Sequence, residues 1–203
     1  MTELPYFILV WLSYRLAATF AVGLPLILLI WAALKKEAAI VRLMSIYWKI
    51  SSLMAISMLL LTNQRPIAFL TFFITPLLMV AAIWFWVDLN EELDNLPPWR
   101  PLPFTVRIWR WALSGFGLMF ATLTFLSLSC FKTLNGTTCS AWLEGPKNLH
   151  QIAEKLFNFL FGANWSEPLA AFIGYVALII YILALLQWFL IRMPKDGRVS
   201  GNF

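Results

Sequence analysis

Histidine is nearly missing from this chain of 203 residues. A single one, His150, cannot supply the two axial imidazoles that hold a haem within one protein, and it leaves a multi-pigment antenna without ligands. Cysteine is almost as scarce, and Cys130, Cys139 and His150 lack the spacing of a zinc site. No Glu-x-x-His pair of a carboxylate-bridged iron bundle occurs. Absent too are a Gly-rich phosphate loop, a Gly-x-Ser-x-Gly elbow and a His-Glu-x-x-His helix. Charge is thin, at 12% of residues, where soluble domains carry roughly 25%. That shortage, beside 61% hydrophobic residues and a mean hydropathy of +0.78, excludes an ordinary soluble domain.

What is present in abundance is the apolar run. A helix needs about 20 residues to cross a hydrocarbon core about 30 Å thick, and five runs of that order can be marked. They are Leu16 to Leu34, Leu43 to Thr62, Ile67 to Val87, Trp111 to Phe131 and Leu169 to Ile191. In lipid each backbone N–H and C=O must be satisfied within its own segment unless a barrel closes, and the alternating strands of a barrel are missing. The fold class is therefore all-α: one integral membrane domain over residues 1–203, a bundle of about five transmembrane helices. Tyr6 to Tyr14 is apolar as well, so the first helix is expected to run long, with Arg15 snorkelling outward. A cleaved signal peptide is not expected, because Glu3 precedes the apolar run and no basic residue comes before Arg15.

Five spans put the termini on opposite sides, and basic residues choose which. With the N-terminus outside, the inner set is Lys35, Lys36, Arg42, Lys49, Arg100, Arg107, Arg110, Arg192, Lys195 and Arg198. The outer set is only Arg15, Arg65, Lys132, Lys147 and Lys155. The positive-inside rule favours N-terminus lumenal or periplasmic and C-terminus cytoplasmic. Both cysteines then fall at the start of the last outer loop, in a compartment that tolerates disulfides, and a Cys130 to Cys139 staple is the preferred reading. Free thiols, or a Cys130 simply buried at a helix end, are the alternatives.

PLILLIWA, AIVRLMSIYWK and WFWVDLNEELDNLPP, together with a short basic tail, resemble a family of small multi-pass membrane proteins of uncharacterised function from cyanobacteria. The likeness runs through the first four spans and the last, and is weakest from Lys132 to Pro168. It brings no catalytic residue. It implies a location, a thylakoid or plasma membrane, with the outer loop in the lumen or periplasm.

Transporters announce themselves by ionisable groups deep in the membrane, and no Asp, Glu or His lies centrally in any run. Lys49 and Gln187 sit towards the inner ends, and no polar groups gather where Pro25 and Pro76 are expected to kink their helices. The densest charge is instead at the end of the third run, where Asp88, Glu91, Glu92 and Asp94 occur within seven positions. On a helix continuing from Trp86 the first three share a face at a helix C-terminus, where like charge and the helix dipole are both unfavourable. Compensation is expected from Arg100, Arg107 and Arg110 on the same loop, folded back by Pro97, Pro98, Pro101 and Pro103, and from Lys35, Lys36 and Arg42 on the neighbouring inner loop. This cluster reads first as an internal charge network, then as a docking patch for a basic partner, and last as a cation or catalytic site.

In the outer loop between spans four and five, residues 147–161 alternate at helical spacing. Leu149, Ile152, Leu156, Phe157 and Leu160 fall on one side, and Asn148, Gln151, Glu154, Lys155 and Asn158 on the other. That is an amphipathic helix opened by Gly145-Pro146 and closed by Gly162. It is expected to cover its own bundle, or else to lie in the outer interface or against a partner. Gly117 to Ala121 and Ala170 to Gly174 offer small-residue packing seams. Asn135-Gly-Thr and Asn164-Trp-Ser match glycosylation sequons at about the frequency of chance. Cofactors and nucleic acid are not expected, one bound pigment or lipid being compatible with the sequence. The expected partners are membrane lipids and a larger membrane complex, which this chain would assemble or stabilise. A small transporter or channel is the alternative, and a membrane enzyme on a lipid or isoprenoid substrate comes third.

Overall fold

A computed structural model describes residues 3–132, 137–196 and 198. Every regular element among the described residues is helical. Five stretches are long and apolar enough to cross a membrane: Tyr6–Lys35, Ala38–Thr62, Ile67–Trp84, Pro101–Phe131 and Glu167–Ile191. The first is built from α1 (Glu3–Ala17), a π-helical turn (Ala18–Gly23) and α2 (Leu24–Lys35). Next come α3 (Ala38–Thr62), α4 (Ile67–Trp84), the short α5 (Val87–Asn95), and α6 (Pro101–Leu126) with a 3-10 turn at Ser127–Phe131. After α7 (Thr137–Phe161), α8 (Glu167–Gln187) ends in a π turn (Trp188–Arg192) followed by α9 (Met193–Asp196). Asn135 of the first sequon lies outside the described residues, as do the side chains of Arg192 and Lys195.

α3 is the central post. It packs against α2, α4, α7 and α8, while α4 in turn carries α6. Two apolar cores form along it. The one at the end that carries α5, named inner for convenience, gathers Leu28, Tyr47, Ile83, Leu89, Leu93 and Trp109, and the one at the opposite end, named outer, gathers Phe69, Phe72, Phe120, Trp142 and the two cysteines. Glycine lets two helices close on neighbours of the same chain. A Cβ on Gly117 would lie 2.7 Å from Val80 on α4, and one on Gly174 would lie 3.0 Å from Leu60 on α3.

Prolines explain how the membrane helices are stitched. Pro25 has no N–H to give, and upstream of it the Leu24 N–H reaches back five residues to the Thr19 carbonyl, as a π turn requires. Phe20 thereby loses both possible backbone donors, and Ala21 loses the one four residues ahead. In a bilayer those oxygens need partners. The Trp109 Nε1–H of α6 donates to the Phe20 oxygen at 2.9 Å, and the Tyr47 hydroxyl of α3 donates to the Ala21 oxygen at 2.7 Å. The same solution recurs at Pro146. Its missing N–H leaves the Trp142 oxygen open, and the Tyr14 hydroxyl of α1 donates there at 2.7 Å. The helix expected to begin at Gly145-Pro146 therefore runs straight through them from Thr137. Gly145 makes room, since a Cβ there would come within 2.7 Å of the Tyr14 ring.

Candidate functional site

The acidic stretch does not continue the third span. α4 stops at Trp84, Trp86 is extended (φ −85°, ψ 112°), and α5 starts afresh at Val87. Asp88 thus lies in the first turn of a new helix, where the dipole favours negative charge, and not at a helix C-terminus. Leu89 and Leu93, four apart, bury one face of α5 in the inner core, which leaves Glu91, Glu92 and Asp94 exposed on the other.

Breaking a helix at the membrane surface strands its last carbonyls, and the three at the break find side chains. The Ile83 oxygen accepts from Arg110 Nη2 at 2.9 Å, the Trp84 oxygen from Asn90 Nδ2 at 3.1 Å, and the Phe85 oxygen from Arg198 Nε at 2.9 Å. Arg110 also donates to Asn90 Oδ1, and its guanidinium lies 4.0 Å from the centre of the Trp84 ring. Trp84 Nε1–H in turn donates to the Ser114 hydroxyl, one turn along α6 from Arg110. Arg107 does the same service for α5, its Nη2 facing the Leu93, Asp94 and Leu96 oxygens at 3.0, 3.2 and 3.3 Å.

The expected pairing holds for Arg42, which meets Glu92, and fails for Arg107 and Arg110. α6 begins at Pro101, with Pro101 and Pro103 in its first turn, so Arg107 and Arg110 are helix residues and not loop residues. Arg110 is only 4% exposed. Both guanidiniums cap backbone carbonyls, whereas the ion pairs seen among the described residues are Arg42 with Glu92 and Arg100 with Glu37, the latter at 3.4 Å. Glu91 and Asp94 enter no ion pair among the described residues. The positions of Pro25, Pro146 and the α4 break are the signals that would have pointed to Tyr47, Trp109, Tyr14 and Asn90, because each freed carbonyl demands a donor.

Among the described residues no three His, Cys, Asp or Glu side chains gather in a way that could hold a metal ion. A void between α4, α6 and their neighbours, lined by Ala21, Met54, Thr75, Met79 and Phe116, measures about 10 Å³ and is apolar. It has neither the room nor the polar partners to hold a bound molecule.

The profile of a family described as a protein of unknown function (DUF3177) matches residues 8–201. The chain belongs to this family. No curated protein and no solved structure matches it. The DUF3177 match takes in both the inner charge cluster and the outer loop.

At that outer end Cys130 and Cys139 are bonded, their Cα atoms 5.8 Å apart, joining the 3-10 turn to the first turn of α7. Both are buried beside Trp142, whose ring meets Tyr14, Phe72 and Phe120 edge-on and whose Nε1–H donates to the Tyr6 hydroxyl at 2.8 Å. Beyond Pro146 the packing stops. Leu149, Ile152, Leu156 and Leu160 are 53, 65, 57 and 59% exposed, while Phe157 is half-buried between Phe161 and Trp165. The expectation that this helix covers its own bundle is therefore corrected: among the described residues of α7 only Cys139, Ala141, Trp142, Leu143 and Pro146 are buried.

Proposed function

We propose that this DUF3177 protein is a non-catalytic accessory subunit that assembles or stabilises a larger membrane complex. The observation that carries the reading is how charge is used at the inner end. The arginines able to do chemistry or bind a ligand, Arg107 and Arg110, are committed to carbonyls, while the Glu91 and Asp94 face of α5 stands free of ion pairs among the described residues. Such a face suits a basic partner. Neither rival has equal support. A transport path would use the broken helix at Pro25, yet the Phe20 and Ala21 carbonyls there are bonded to Trp109 and Tyr47. A lipid or isoprenoid enzyme built on Asp88 to Asp94 would want a metal or a pocket, whereas Glu92 is held by Arg42 on an exposed helix.

A tagged chain extracted in mild detergent tests the proposal. The complex should co-purify, and Glu91→Gln with Glu92→Gln should release it, as should high salt. The same double variant should lose no more than about 1 kcal/mol of stability, because only the exposed Arg42 pair is broken. Unchanged partner retention in the double variant would leave the acidic face as a solvated helix and remove the basis for the proposal.

The location proposed with this function is a thylakoid or plasma membrane of a cyanobacterium, from the resemblance of PLILLIWA and WFWVDLNEELDNLPP. The count of ten basic residues on one side against five on the other supports an N-terminus in the lumen or periplasm. An Asn95→Cys probe should then react with an impermeant maleimide supplied to the cytoplasmic face and not with one supplied to the lumenal or periplasmic face. Labelling from the lumenal or periplasmic side alone reverses the orientation.

A further inference from the structure

We infer that the second half of α7 is a lipid-binding element, its Leu149, Ile152, Leu156 and Leu160 stripe seated among the acyl chains at the outer surface of the bilayer. The inference goes beyond the accessory role and does not depend on it. Both ends of this helix are held at the outer rim of the bundle. At its start Trp142 is buried against Tyr14 of α1 and Phe72 of α4 and tied by the Cys130–Cys139 bond. At its end Gly162 turns the chain with φ +64°, its N–H bonded to the Asn158 oxygen at 2.8 Å, and α8 begins at Glu167. Five residues reach at most about 18 Å, so the end of the stripe lies close to where α8 goes into the membrane.

The occupant follows from continuity. α8 packs on α3 along one side only, and its other side presents Phe172, Val176, Ile179, Ile180 and Leu183 outward, a surface that lipid covers. The α7 stripe leads to that surface through Phe157, Phe161 and Trp165, an aromatic cluster at the junction of helix and span of the kind that marks a membrane interface. Its opposite side carries Asn148, Gln151, Glu154, Lys155 and Asn158, all exposed and suited to water. With Lys155 set against Glu154, net charge on this side is small, so apolar burial and not attraction to anionic headgroups drives the contact.

Spin labels test this on the purified chain in phosphatidylcholine nanodiscs, one chain per disc and no partner present. Leu156→Cys and Lys155→Cys are labelled separately, the native disulfide being buried and oxidised. The label at 156 should collide more with oxygen than with a water-soluble nickel chelate, and the label at 155 should show the reverse. The ratio should be unchanged when the lipid is made part phosphatidylglycerol. Equal, nickel-accessible labels at both positions would place the stripe in water and overturn the inference. A label at 156 shielded from both reagents would overturn it equally, as contact with protein. Ile152→Cys should repeat the 156 result if the substitution itself is harmless.

Discussion

Replacing Arg110 by alanine is expected to destabilise the folded bundle by roughly 2–3 kcal/mol. The guanidinium is buried, and its loss leaves the Ile83 carbonyl and the Asn90 side-chain oxygen without their donor in a place water does not reach. It also removes the cation from the Trp84 face. Part of the cost is returned, because a buried charge need no longer be kept from water. Lysine should recover only part of the loss, since a point charge cannot stack on the indole and span two acceptors as a planar fork does. Arg107→Ala should cost less, about 1 kcal/mol, its carbonyls lying nearer to water. Unfolding in dodecyl maltoside measures the global effect, and hydrogen exchange at Val87 to Asn95 locates it, because α5 should loosen first. An Arg110→Ala protein that melts with the parent would mean that the α4 break needs no cap.

Where sequence and structure agree and part can be traced to single residues. The five spans are legible because lipid imposes one requirement, length in apolar residues, that composition alone can meet. Their ends are less so. Val87 looks like the last residue of an apolar run, yet the helix breaks before it, because placing Leu89 and Leu93 into the inner core requires α5 to set off in a new direction. Trp111 looks like the first residue of the fourth run, but Pro101 already supplies a helical start, and the helical turns between carry arginines whose Nη2 groups donate to carbonyls of other elements. Counting charges could not reveal that, since carbonyl oxygens carry no letter in a sequence. Gly145-Pro146 reads as a helix start by local preference, which holds when no neighbour can supply the missing donor. Tyr14, 128 residues from Trp142 in sequence, supplies it. The acidic face of α5 is visible from spacing, but that Arg107 and Arg110 give their hydrogen bonds to carbonyls and not to its carboxylates is not.

The outer end should prove as sensitive as the inner one. Trp142→Ala is expected to cost about 3–5 kcal/mol, the range for emptying a large aromatic from a packed core. The ring is fully buried among Tyr14, Phe72 and Phe120, and its loss also strands the Tyr6 hydroxyl. Disulfide loss would not mimic this, because the Cys130 link holds the start of α7 without filling the space under it. The finer test concerns the carbonyl of Trp142. Tyr14→Phe keeps the ring and removes the one donor that replaces the N–H Pro146 lacks, so it should cost roughly 1 kcal/mol. Pro146→Ala restores a backbone N–H four residues along, and in that background the Tyr14 hydroxyl becomes redundant. The double variant should therefore be more stable than the sum of the two single changes requires, with a coupling of about the size of the hydroxyl's own contribution. Tyr47→Phe with Pro25→Ala should couple in the same sense, the Ala21 carbonyl standing in the place of Trp142. Additive costs in both cycles would show that the phenols merely fill space. Coupling in both would establish that the helices of this bundle are joined at the carbonyls their own prolines leave open.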